Sequence, residues 1–182
     1  GEVDKIPGLR ITPDQCKKAR RQWRLRTEQE QNLLRDALPR FDLEAAQIEK
    51  ILSERRSENG IAAELLEIIS NPYTLSEQYS GDDPDDLISW GTIDRGMIPS
   101  PELGGESLAE LDDPCRFRAL LVNELRQENE HTFVPSRHLL SAVNYRLERL
   151  PEWKRFQFHE RYIEADADEL SEALHIRSDG EN

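Results

Sequence analysis

Residues 70–81, SNPYTLSEQYSG, contain the clearest helix start in this sequence and lead directly into a run of aspartates. Asn71 can accept a hydrogen bond from a free backbone N–H, and Pro72 loses nothing at the first helical position. Leu75 and Tyr79 are four residues apart, so they share one helical face. The stretch therefore predicts a short helix from Pro72 to about Tyr79.

Three further helices are predicted upstream of this stretch. Thr12 is a good N-cap for a helix that is expected to run to about residue 38. Residues 42–57 place apolar side chains three and four apart, which is typical of one buried helical stripe. Asn59-Gly60 predicts a turn that can hold a positive φ. Residues 61–70 predict a short, strongly apolar core helix.

The character of the chain changes after Gly81. Residues 81–113 are rich in glycine, proline and aspartate, and their apolar residues follow neither helical nor strand spacing, which indicates a connector. Trp90 suggests that part of this connector packs against the rest of the fold. Beyond it, helices are predicted at 115–130, at 136–150 with Ser136 as the cap, and at 166–174, with short strands at 156–162 and 175–177.

This order predicts a mainly α fold with two small helical subdomains. The first covers residues 1–80, the connector covers 81–113, and the second covers 114–182. Because helices alternate with short strands in the second subdomain, it resembles a winged helix.

Composition and charge limit the class of protein. The chain has 182 residues, a net charge of −13 and no run near the ~18 apolar residues that a membrane span needs. Such acidity repels phosphate, so nucleic-acid contact requires a local basic patch. Cys16 and Cys115 lie far apart, which favours reduced thiols in a cytoplasmic protein. The first residues lack the apolar region of a signal peptide, and the chain is expected to be a piece of a longer protein.

Motifs for catalysis are absent from the sequence. It has no GxxxxGK[ST], GxSxG or HExxH motif, and its four histidines do not fall at metal-ligand spacing. The run DDPDD at 82–86 could bind a cation through oxygens, but it lacks the full spacing of a calcium loop, so a solvated acidic turn is favoured. We therefore predict no catalytic residue, no metal site and no cofactor in this chain.

One stretch contrasts with the acidic remainder. Between Arg10 and Arg26 there are seven basic residues and one acidic residue. The candidate nucleic-acid-binding residues are Lys17, Lys18, Arg20, Arg21, Arg24 and Arg26. Four of them recur at i, i+3, i+4 and i+7 and form one helical stripe beside Trp23. The alternatives are a solvated face or a stripe that pairs with the acidic residues 164–172.

The order of segments from about Arg35 to Leu140 resembles the N-terminal region of RecD-like helicases, which are related to the alpha subunit of exodeoxyribonuclease V. That family has a helix pair leading into a phrase like ENPYRLAE, for which this chain has SNPYTLSEQYSG. The family then has a helix, a phrase like GHTYLP and another helix. The corresponding segment of this chain is DPCRFRALLVNELRQENEHTFVPSRHLLSAV.

The resemblance implies an accessory region that positions DNA or the motor domain of an ATP-dependent DNA helicase or exonuclease. ATP and magnesium would bind only to the motor, which this chain lacks. The expected partners are DNA and either the rest of the parent helicase chain or another protein, without a membrane.

The chain departs from the family where a glycine hairpin usually follows the NPY phrase. Such hairpins expose backbone N–H groups to a phosphate. Here the corresponding residues are GDDPDDLISWGTIDRG, whose aspartates would repel phosphate, and Asn59-Gly60 is the remaining candidate turn. The second hypothesis is therefore an acidic helical protein-interaction module without DNA contact.

Overall fold

The structure, a computed structural model, describes residues 11–83, 85–127 and 133–177, and within these residues it is helical without a β-strand. The mainly α prediction is confirmed. The helices are α1 (Pro13–Leu25), α2 (Glu28–Asn32), α3 (Ala45–Leu52), α4 (Leu65–Ser70), α5 (Tyr73–Gln78), α6 (Trp90–Met97), α7 (Pro114–Leu125), α8 (Ser136–Glu148), α9 (Glu160–Ala165) and α10 (Ala167–Ser171). Helix α2 continues through a π-helical turn, Leu33–Ala37, and a 3₁₀ turn, Leu38–Arg40.

Helix α5 lies at the centre of the fold. The side chain of Asn71 accepts a hydrogen bond from the backbone N–H of Tyr73 at 3.2 Å, as predicted, and the helix begins just after Pro72. Tyr73, Leu75 and Tyr79 are completely buried. Because α5 packs against α4, α6 and α7, it joins the first part of the chain to the second.

The buried apolar residues form one continuous core. Members come from the predicted first subdomain, from the connector and from the second subdomain, for example Ile51, Ile93 and Phe117. The connector therefore contains α6, whose Trp90 and Ile93 are buried as the sequence indicates. The proposed division into two subdomains stays a prediction.

The turn at Asn59-Gly60 takes the predicted conformation. Gly60 has φ 77°, and a Cβ on it would lie 2.4 Å from the backbone oxygen of Gln78. The backbone N–H of Ser80 donates to the carbonyl of Asn59 at 3.0 Å. Glycine is needed here for its left-handed backbone and also for the close approach of the chain after α5.

The strands predicted at 156–162 and 175–177 are wrong. Residues 155–159 form neither helix nor strand, and the backbone of Phe158 bonds to a side chain, because Asn144 exchanges two 2.9 Å hydrogen bonds with it. The phenyl rings of Phe158 and Phe117 stack at 4.1 Å. The alternating pattern therefore reflects a segment that packs into an aromatic cluster. Without these strands, the second part of the chain does not match a winged helix.

Helix ends also differ from the predictions. The long helix expected over residues 12–38 breaks at Arg26, where Thr27 caps a new helix through a hydrogen bond from Glu30 N. Helix α7 ends at Leu125 instead of residue 130, and residues 128–132 lie outside the described part. Ser136 is the first residue of α8 and its side chain caps nothing. No helix within the described residues has the length and hydropathy that crossing a bilayer requires.

Candidate nucleic-acid interface

Helix α1 carries the predicted basic residues and begins where the sequence indicates. The side chain of Thr12 accepts a hydrogen bond from Gln15 N at 3.2 Å, and the side chain of Gln15 accepts one from Thr12 N at 2.8 Å. This reciprocal cap satisfies two backbone donors that would otherwise lack partners. No residue of α1 is buried, so the cap and local contacts support the helix with little help from the core.

Four cations of α1 share one exposed face, as predicted. Lys17, Arg20, Arg21 and Arg24, together with Leu25, surround a shallow depression on the helix surface. We call these four cations the basic face. Lys17 reaches Asp14 at 3.8 Å, but both side chains are almost fully exposed, and such pairs contribute little. The other three form no ion pair with any described residue.

Arg26 differs from the other predicted residues because it belongs to the junction between α1 and α2. Its guanidinium donates to Glu30 at 2.7 Å, and its carbonyl accepts from Gln31 at 3.0 Å. Partial burial raises the pKa of Glu30, but hydrogen bonds from Arg26 and Thr27 outweigh that effect and lower the pKa below its ordinary value. Lys18 is exposed beside the basic face. Five of the six predicted residues therefore face solvent.

The acidic residues 164–172 do not neutralise the basic face. Glu169 and Glu172 instead bind Arg118, whose Nη1 lies 2.6 Å from Glu169 Oε1. Arg118 also forms a two-pronged pair with Glu77 at 2.9 and 3.0 Å, and both side chains are buried. These contacts connect α5, α7 and α10.

The described residues show no hydrogen bond or ion pair that would place the basic face next to the Asn59-Gly60 turn. Within the residues that the structure describes, no hydrogen bond or ion pair connects α1 to residues 59–61. The turn packs instead against Ser80. The helix-hairpin-helix contact that the resemblance implies therefore gains no geometric support at this turn.

The aspartate run at 82–86 is held by a lysine. Lys50 contacts Asp86 at 2.8 Å and Asp82 at 3.0 Å, and Asp86 also accepts hydrogen bonds from Gln47 and Tyr79. The hydrogen bonds to Asp86 and Asp82 raise the pKa of Lys50 above its ordinary value. Among residues 11–83, 85–127 and 133–177, no group of three or more His, Cys, Asp or Glu side chains is arranged to hold a metal ion.

The sequence analysis missed a buried charge network around Asp94. One carboxylate oxygen of Asp94 accepts from Tyr73 Oη at 2.7 Å and from Arg116 Nε at 2.9 Å, and the other lies 2.8 Å from Lys154 Nζ. All four side chains are at most 5% exposed. A signal was present, because Asp94 shares the i, i+3, i+4, i+7 stripe of α6 with Trp90, an otherwise apolar pattern.

This network holds two cations against one carboxylate. Lys154 Nζ also donates to the carbonyls of Asp94 and Ile98 at 2.7 and 2.9 Å, and Arg116 donates to the carbonyl of Leu111 at 2.6 Å. The Arg116 guanidinium lies 5.6 Å from the ring centre of Trp90. Burial lowers the pKa of Lys154 despite the opposing attraction of Asp94. Since its donors are satisfied, the network stabilises the fold and offers no open reactive group.

Comparison of the chain with family models, with curated proteins and with solved structures finds no match.

Proposed function

We propose that this chain is an accessory, non-motor region of a RecD-like ATP-dependent DNA helicase or exonuclease, and that the basic face of α1 holds a DNA phosphate backbone. The resemblance of SNPYTLSEQYSG and of DPCRFRALLVNELRQENEHTFVPSRHLLSAV to that family supports the parent class. The region would position DNA or the motor in the cytoplasm, and it would catalyse nothing itself.

The observation that carries the DNA contact is the exposure of the basic face on an acidic chain. A protein with net charge −13 has a general field that opposes phosphate. Lys17, Arg20, Arg21 and Arg24 are nevertheless gathered on one helix, and among the residues that the structure describes only the exposed Asp14 pairs with one of them. Local cations of this kind neutralise phosphates and release counterions.

The alternative, an acidic protein-interaction module, gains support if residues 164–172 neutralise the stripe. Residues 164–172 were the acidic segment that could have supplied the carboxylates. Glu169 and Glu172 of that segment bind Arg118, so this neutralisation does not support the alternative. The exposure of the basic face supports the DNA contact, although within the described residues no bond places that face next to the turn at residues 59–61.

The test is binding of the chain to single-stranded, duplex and forked DNA, followed by fluorescence anisotropy at two salt concentrations. If the four cations each neutralise one duplex phosphate, affinity falls about 150-fold between about 50 and about 200 mM salt. Lys17→Glu with Arg21→Glu should lower the slope of log affinity against log salt by about two.

The matched control is Arg55→Glu with Arg95→Glu. Both arginines are exposed and form no ion pair within the described residues. Each reversal subtracts two charges, so both double variants change the net charge from −13 by −4 to −17. If the control weakens binding as much as the α1 variant, overall charge is responsible and the basic face is not the contact.

A further inference from the structure

Helices α9 and α10 border an open groove with an apolar floor. Ile163, Leu174 and Ile176 line it, and Ile176 is 51% exposed. Glu164 and Asp168 also line it and lie four residues apart in the sequence. An apolar floor bordered by carboxylates from two helices fits the two faces of a basic amphipathic helix.

The carboxylates of this groove are available for a partner. Glu169 and Glu172 bind Arg118, whereas Glu164 and Asp168 form no ion pair with any residue the structure describes. Burial raises the pKa of Asp166, which lies between the two helices, and the carboxylates of Asp112, Glu169 and Asp113 raise it further.

We propose that this groove binds helix α1 of a second copy of the chain. The argument is complementarity between two surfaces of the same molecule. Helix α1 presents the basic face with Leu25, which is 78% exposed, and Trp23, which is 39% exposed, on either side. Its cations recur every three to four residues, so they form one positive stripe that complements the negative charges of Glu164 on α9 and Asp168 on α10.

The exchange is reciprocal in a twofold dimer. Each copy gives α1 and receives the partner's α1, so two equivalent contacts form and the interface area doubles. Since the contact depends on exposed charges, the dimer is weak and dissociates at high salt. The cations that touch the groove are those proposed to hold DNA, so dimerisation and DNA binding compete.

The experiment is sedimentation velocity over a concentration series at low and at high salt. At low salt the mean mass should rise from 21.1 kDa towards twice that value, and high salt should return it to 21.1 kDa. Glu164→Lys with Asp168→Lys should weaken dimerisation at least about tenfold, as should Lys17→Glu with Arg21→Glu.

Mixing the two double variants provides the decisive arm. The groove lysines of one variant then face the α1 glutamates of the other, so a heterodimer should form although neither variant dimerises alone. A monomer at every concentration, a dimer unaffected by either reversal, or no heterodimer in the mixture would each overturn the proposal.

This outcome is separable from the proposed DNA contact. The groove variant leaves α1 intact, so its DNA affinity should equal or exceed that of the unchanged chain at concentrations where the dimer forms. A lower DNA affinity in the groove variant would contradict the competition.

Discussion

Replacing Asp94 with asparagine is expected to destabilise the fold more than removing Lys154, although each change deletes one member of the same network. Asp94→Asn leaves Arg116 and Lys154 buried with no carboxylate between them. The asparagine oxygen can still accept from Tyr73 and Arg116, but its amide N–H groups then face the ammonium of Lys154, a contact between two donors.

The magnitude follows from the two uncompensated cations. Breaking a buried ion pair by removing one partner costs about 3–5 kcal/mol, which is a large part of the roughly 5–15 kcal/mol of a whole domain. The melting temperature should fall by about 6–20 °C. Lys154→Met keeps the balanced pair of Asp94 and Arg116. The carbonyl of Asp94 still accepts from the backbone N–H of Ile98, so the carbonyl of Ile98 is the one left without a donor, at about 1–3 kcal/mol.

The assay is urea unfolding of both variants, followed by circular dichroism, and repeated as the pH is raised from neutral towards 10. Burial holds the folded pKa of Lys154 below its unfolded value, so the unfolded chain binds more protons and stability increases with pH in that window. Without Asp94 this pKa falls further, and the deficit of Asp94→Asn should shrink as the pH rises. If Lys154→Met costs as much as Asp94→Asn, the reasoning about excess buried positive charge is refuted.

Two further predictions concern single positions. Burial and a hydrogen bond to Glu169 raise the pKa of the Cys115 thiol to about 12. At pH 8 a thiol reagent should therefore modify Cys16 well before Cys115. The variant Cys115→Ser identifies the reaction of Cys16, and equal rates for the two thiols would contradict this prediction. Gly60→Ala should lower the free energy of unfolding in urea by at least about 2 kcal/mol, because strain at positive φ adds to a clash with the backbone oxygen of Gln78. Gly104→Ala should lower it by about 1 kcal/mol, because Gly104 also has a positive φ, 64°, but open space around it. Equal costs would show that the clash at residue 60 is relieved.

Local signals in the sequence predicted the parts of the fold that depend on neighbouring residues. The cap at Asn71, the left-handed turn at Gly60 and the start of α1 at Thr12 each rest on atoms within a few positions of one another. The stripe on α1 is of the same kind, because helical periodicity alone places its side chains on one face.

The sequence could not predict features that depend on distant partners. Asp94 meets Arg116 and Lys154 across 22 and 60 positions, and only folding brings them together. The alternation of side chains around Phe158 is equally compatible with a strand and with an extended segment outside a sheet. The side-chain amide of Asn144, 14 positions away, makes the backbone hydrogen bonds that a neighbouring strand would otherwise make. For the same reason, the sequence could not show that Glu169 and Glu172, two carboxylates that could have paired with α1, bind Arg118.

The lack of buried residues in α1 has a consequence for binding strength. A helix of 13 residues without a buried side is marginal in water, so we expect α1 to be formed in only a fraction of molecules at any moment. A ligand that requires the helix binds with an apparent affinity reduced by that fraction. Under the proposed function, the reciprocal cap of Thr12 and Gln15 would therefore adjust how tightly α1 binds DNA without touching it, and the ordering of α1 would be a step of recognition.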